Sequence, residues 1–226
     1  MTILILASLA FMAAHAVPST RLRPHLVSAL GGRGYRAAFS LVSLVLLALM
    51  VHAYNNALPA PPLWVVGAPL RVVIALLMLV PFWLALAAGT EPNPAAIGGE
   101  NVLEISAVPR GVFTLTRHPM MVAVALWAAL HLIANTDLPS LIFFGSLIAT
   151  ALGGAWAQDR RKEREIGAAW RRYLVQTSLM PLRAIAEGRT RFDSADLTWW
   201  RLALALALWL AVLTFHGDIF AVPALV

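Results

Sequence analysis

The chain has no cysteine in its 226 residues. A disulfide, a thiolate nucleophile, Cys-ligated zinc and a Cys-held iron–sulfur cluster are therefore all excluded. Charge is scarce as well: 12% of residues are Asp, Glu, Lys or Arg, where an ordinary soluble domain carries about 25%. No Asp, Glu or Lys interrupts the apolar runs, and no internal repeat is visible, which leaves little support for a secondary transporter. No P-loop, GxGxxG, HExxH, carboxylate pair or Ser/His/Asp arrangement stands out.

What is present is apolar. Hydrophobic residues make up 60% of the chain and mean hydropathy is +0.77, the composition of a membrane protein. Six runs, at about 2–17, 37–57, 69–89, 119–134, 139–157 and 199–216, are each near the ~20 residues that span a bilayer. The fold class expected is all-α: a single-domain polytopic bundle, 1–226, of about six transmembrane helices. A very short turn after residue 134 predicts that the fourth and fifth runs form an antiparallel hairpin. Ala14-His15-Ala16 imitates a signal-peptidase site, but no basic residue precedes the first run, so that run is expected to be retained.

Orientation follows from counting. With an exterior N-terminus, the segments 18–36, 90–117 and 158–199, the last extended to Arg201, hold sixteen of the seventeen basic residues, and only Arg71 lies on the other side. The positive-inside rule selects that topology. It also accounts for the +6 formal charge and pI of about 11.0 by anionic headgroups rather than nucleic acid. Asp159–Tyr173 reads as a solvated, lipid-skimming continuation of the fifth helix, its glutamates pairing with arginines three or four residues away.

Six histidines are present. His25, in a loop with Pro24, is expected to face solvent. His15 and His118 share the inner level; His131 lies thirteen residues beyond His118, roughly 20 Å toward the exterior, at about the level of His52 and His216. Thirteen positions at ~100° each turn His118 and His131 to different sides of their helix. Neutral imidazole ligates haem iron, and bundle interiors commonly hold haem between two histidines, with Arg21 or Arg117 able to meet the propionates. Depth pairs His15 with His118, or His52 with His131. The alternative is that each histidine hydrogen-bonds a neighbouring helix or headgroup. Zinc is disfavoured because no carboxylate lies near them at ligand spacing.

His15-Ala16-Val17-Pro18-Ser19, Tyr35-Arg36-Ala37-Ala38-Phe39-Ser40, Asn93-Pro94, Pro109-Arg110-Gly111, Thr116-Arg117-His118-Pro119 and Leu126-Trp127 through His131 to Asn135 together resemble the NnrU family of membrane proteins. That resemblance covers about residues 1–160. It implies a bacterial inner-membrane location and a setting in nitric-oxide or denitrification-linked metabolism. The family is similar to the 15-cis-zeta-carotene isomerases, membrane haem b enzymes. The resemblance implies haem b with His15 and His131 as axial metal ligands, and places Ala128 where the redox-switching cysteine stands. His118 and Arg117 join these as candidate cofactor-binding residues. A more distant resemblance, through Arg117-His118-Pro119 and through Glu165 to Tyr173, is to isoprenylcysteine carboxyl methyltransferases; it implies a cytoplasmic S-adenosylmethionine site at Arg117, His118, Glu165 and Tyr173, with Met121 where that motif has tyrosine.

The expectation is thus a haem b-binding protein of nitric-oxide-linked metabolism, or an isomerase of an apolar small-molecule substrate taken from the membrane lipid. The alternatives are a membrane methyltransferase and a non-enzymatic transporter or assembly factor. No nucleic-acid partner is expected, and oligomeric state is open.

Overall fold

The structure, a computed structural model, describes residues 1–95, 108–194, 197–220, 222 and 224–225. Gly98-Gly99 and much of the polar segment 90–117 lie outside the described residues.

Among the described residues all regular structure is helical, with no strand. Helix α1 (Thr2–Ala16) ends in a 3-10 turn, Val17–Ser19. Helix α2 (Leu22–Asn55) is kinked at Gly31, whose φ of +69° glycine tolerates best. Helices α3 (Ala68–Leu77) and α4 (Leu79–Thr90) form one span broken at Met78. The break has a local cause: the ring of Pro81 opposes the carbonyl four residues earlier and removes a backbone donor. A single turn, α5 (Val112–Leu115), precedes α6 (Pro119–Ala134). Then come α7 (Leu138–Ile166), α8 (Ala168–Gln176), a short α9 (Arg183–Ala186) and α10 (Trp199–Phe220). Proline sits in the first turn of α3, α6 and α7, where its missing N–H costs nothing. The Asp137 carboxylate caps α7 by accepting from Ser140 N at 2.8 Å.

Among the described residues, five helices are long and apolar enough to cross a membrane: Thr2–Ser19, Leu22–Asn55, Ala68–Thr90, Leu138–Ile166 and Trp199–Phe220. The sixth expected span, Pro119–Ala134, is apolar but shorter. Packing orders the helices as α2, α1, α7, α6, α4, α10. Burial follows that order: 44% of the apolar window of α7 is buried, against 6% for α10, so α7 is central and α10 peripheral. The main core joins Leu4, Ala7 and Phe11 of α1, Met50 of α2, Ala128 of α6, and Phe143, Phe144 and Leu147 of α7. A second core joins Leu84 and Ala87 of α4 to Val112, Phe113, Val122 and Ala123.

The expected hairpin is present as α6 and α7. Three expectations are corrected. Segment 18–36 is a brief turn running into α2, so His25 is helical, although exposed. Asp159–Tyr173 is not continuous and only partly solvated: Gly167, at φ +65°, separates α7 from α8, and Asp159, Lys162, Trp170 and Tyr173 are buried, whereas Arg160, Arg164, Arg171 and Arg172 are exposed and Glu165 pairs with Arg161 as expected. His118 and His131 do not face different neighbours. His118 lies outside the helical turn as its N-cap, at φ −125° and ψ 61°, and both imidazoles contact α7.

Candidate functional site

The arginine-rich end is closed by charge pairs. Arg117 Nε donates to Asp159 Oδ2 at 2.7 Å, and His118 Nε2 meets Asp159 Oδ1 at 2.7 Å. Helices α6 and α7 are thus joined where one begins and the other emerges. The carboxylate is 12% exposed, the imidazole 2%, so this trio is poorly hydrated and its ion pair depends on every partner being in place. Segment 177–182 seals it from below: Arg117 N donates to Ser178 O, Leu182 N to Leu115 O, and Thr116 Oγ1 to Leu179 O. Arg117 and Arg189 both reach Thr177 O, at the C-terminus of α8, where cations are favoured.

Beside the trio, Trp170 and Tyr173 are fully buried with ring centroids 5.2 Å apart. Among the described residues, neither Trp170 Nε1 nor the Tyr173 hydroxyl has a hydrogen-bond partner. Burial pushes the Tyr173 hydroxyl above the ordinary tyrosine range. A further junction uses Glu91, which accepts from Arg201 Nη1 at 2.7 Å and from Val112 N at 2.9 Å. It needs Gly111: φ there is +56°, and a Cβ would lie 2.1 Å from Glu91 Oε2.

The opposite end of α6 is built of rings. His131 stacks on Phe144 at 5.0 Å between centroids and leans on Trp127 at 4.4 Å. Phe144 touches Phe143, and Tyr54 stacks on Phe143 at 4.8 Å while its hydroxyl meets Ser140 Oγ at 2.9 Å. His131 Nδ1 lies 2.9 Å from Trp127 O. Donation to that carbonyl puts the proton on Nδ1 and leaves a lone pair on Nε2, the tautomer of a histidine ligand or proton acceptor. An apolar groove of about 180 Å³ lies between α4 and α6, lined by Pro81, Phe82, Ala85, Ala123, Val124 and Trp127. Trp127 is the wall this groove shares with the surroundings of His131.

His15 has the same local arrangement. Its Nδ1 is 2.9 Å from Phe11 O, and its ring lies between Phe11 and Phe39. Its depth is different. The turn after His15 lies against Arg161 and Arg164 of α7, whereas His131 lies against Phe144 of the same helix. At ~1.5 Å per residue, His15 and His131 are therefore roughly 20 Å apart along the bundle. Each offers a suitable donor, but this arrangement does not set them on opposite faces of one iron, so the residues present do not fit a haem held by that pair. His118 is turned to Asp159, and Ala128 is packed in the main core.

The residues that resemble a methyltransferase site gather in part. Arg117, His118 and Tyr173 share one cluster, but Glu165 pairs instead with Arg23 at 2.8 Å and Arg161 at 3.3 Å. Asp159 was not anticipated, nor the carboxylate it places against a histidine. Its signal was available: it is the first acid after the apolar run of α7, at the depth where the hairpin returns to the start of α6.

Comparisons with known proteins agree with these elements. The family described as NnrU protein matches residues 3–224. A chloroplastic 15-cis-zeta-carotene isomerase of Arabidopsis thaliana is 31% identical over 173 residues, 71% of this chain and 44% of that protein. The protein of the same name from Zea mays is 33% identical over 99 residues, 40% of this chain and 27% of that protein. The chain thus spans less than half the length of these relatives. No solved structure matches it.

Proposed function

The chain belongs to the NnrU family, and from that premise we propose that it is an isomerase-like multi-pass membrane protein acting on an apolar, lipid-phase substrate at the ring-lined end of α6. The observation that carries the reading is the apolar groove between α4 and α6, whose Trp127 wall leans on His131. The similarity to zeta-carotene isomerases supports the substrate class.

A hydrocarbon chain enters such a groove laterally from lipid without losing water, and Phe82 and Trp127 offer it flat apolar contact. His131 packs against the Trp127 wall and on Phe144, with Nδ1 turned to Trp127 O and Nε2 left as a lone pair. The arginine-rich cluster has a positioning role in this reading: it fixes the start of α6 and hence the register of Trp127 and His131. Because His15 and His131 do not fit one haem here, no step is assigned to haem b. The nitric-oxide setting of the family adds no residue to the site.

The test is conversion of 15-cis-zeta-carotene by the full chain in proteoliposomes, with isomers separated by chromatography and haem supplied during expression. Conversion above empty liposomes, abolished in His131→Ala but retained in His15→Ala, is the expected result. Equal conversion with and without protein overturns the proposal. An oxidised and reduced absorption spectrum of the same preparation reads haem separately. A haem band that needs both His15 and His131 would show that the helices rearrange when it binds.

A further inference from the structure

A second site lies at the same arginine-rich end, separate from the trio. The 3-10 turn and the start of α2 form, with the last turns of α7, a cleft of about 510 Å³ lined by Pro18, Ser19, Arg21, Arg23, Arg161 and Arg164, among others. Glu165 is its one acidic lining residue. It accepts from Arg23 and Arg161 and thereby holds these two guanidinium groups in place. That leaves an excess of positive charge. Among the described residues Arg21 and Arg164 have no side-chain partner, and Arg161 Nε is buried without a hydrogen-bond acceptor although its side chain is only 12% exposed. Four arginines around one carboxylate form an incomplete site, and what would complete it is an anion with several acceptor oxygens.

The surroundings say where that anion comes from. Leu22, Leu26 and Leu30 of α2 are exposed at four-residue spacing beside Arg23, which gives one apolar stripe. Across the cleft, Trp156 is exposed with the Arg160 guanidinium 3.9 Å from its ring centroid, an arrangement typical of the lipid–water boundary. The cleft is thus charged at the level of headgroups and flanked by apolar surface at the level of acyl chains. We infer that it binds the phosphate of an anionic phospholipid, through Arg21, Arg161 and Arg164, with Glu165 as the internal brace. Basic pockets between helices at this level are suited to such headgroups. This inference does not rest on the isomerase reading.

The experiment uses the full chain, purified in detergent and stripped of lipid, and titrated with phosphatidylglycerol, phosphatidylcholine or inorganic phosphate under native mass spectrometry. Phosphatidylglycerol is expected to bind at least tenfold tighter than phosphatidylcholine. The double variant Arg21→Gln/Arg164→Gln changes two exposed residues and should weaken phosphatidylglycerol roughly 25-fold, about fivefold for each arginine. Glu165→Gln removes the opposing charge and should tighten binding. Inorganic phosphate binding as tightly as phosphatidylglycerol, with the same loss in the double variant, would overturn the lipid as the source. Equal binding of the two lipids, or no change in either variant, would overturn the site.

Discussion

The two histidines of α6 have the same side chain and opposite circumstances. His118, at the N-terminus, is spoken for: its Nε2 faces Asp159, which also holds Arg117. His131, in the last turn, uses its own helix to orient one nitrogen and leaves the other without a partner among the described residues, inside a ring of aromatics. The difference teaches that a polar side chain in a membrane bundle is free for chemistry where local backbone satisfies half of it. Where an ionised partner from another helix takes the reactive atom, it becomes a joint.

The largest effect should come from Asp159→Ala. It strands a guanidinium and an imidazole in a poorly hydrated site and should cost about 3–5 kcal/mol, read as a lower thermal midpoint in detergent. An unchanged midpoint would mean that the trio holds nothing together. His118→Ala removes one bond to that carboxylate and should cost about 2 kcal/mol; His131→Ala should cost about 1 kcal/mol from lost ring contacts yet abolish conversion. Reversal of that pattern, with His118 needed only for activity, would collapse the contrast between the two ends.

Gly111→Ala probes the same arginine-rich end through shape. The positive φ and the contact with Glu91 predict a loss of about 1–3 kcal/mol, visible as reduced folded yield. Midway along α6, Ala85→Leu narrows the groove from a half-buried wall position. Conversion should fall severalfold while the midpoint barely moves, and unimpaired conversion would remove the groove from the reading.

Tyr173→Phe should have the smallest effect. Its buried hydroxyl has no partner among the described residues, so its loss should be neutral or stabilising by up to about 1 kcal/mol. Its folded pKa is raised by burial, so the folded state keeps a proton that the unfolded state loses above about pH 10. Stability should fall as pH rises past that point, and the phenylalanine variant should lack this part of the fall. Alkaline unfolding curves of the two proteins give the comparison.

Membrane class, the helical fold, the α6–α7 hairpin and the position of Pro119 at a helix start were all legible in residue order. These are local properties: apolar run length, turn brevity and the missing N–H of proline act within a few residues. The arginine count picked one end as basic, and the structure gathers Arg21, Arg23, Arg117, Arg161 and Arg201 into junctions and a cleft at that end. Segment 158–173 was misread in part because alternating charges look solvated in sequence, whereas Asp159 is turned to Arg117 and His118 and Lys162 is buried. The face argument for His118 and His131 failed for a related reason: ideal rotation assumes a regular first turn, and His118 is outside it.

The sequence by itself determined that this chain is a bundle of apolar helices with its arginines at one end, because hydropathy and charge are summed along the chain. Only the tertiary structure decided that Asp159 meets His118 and that Glu165 turns to Arg23 rather than to the trio. Those facts depend on which helices pack side by side and at what height, and in a bundle that is set by contacts between residues distant in sequence, such as Phe11, Ala128 and Phe144 in one core.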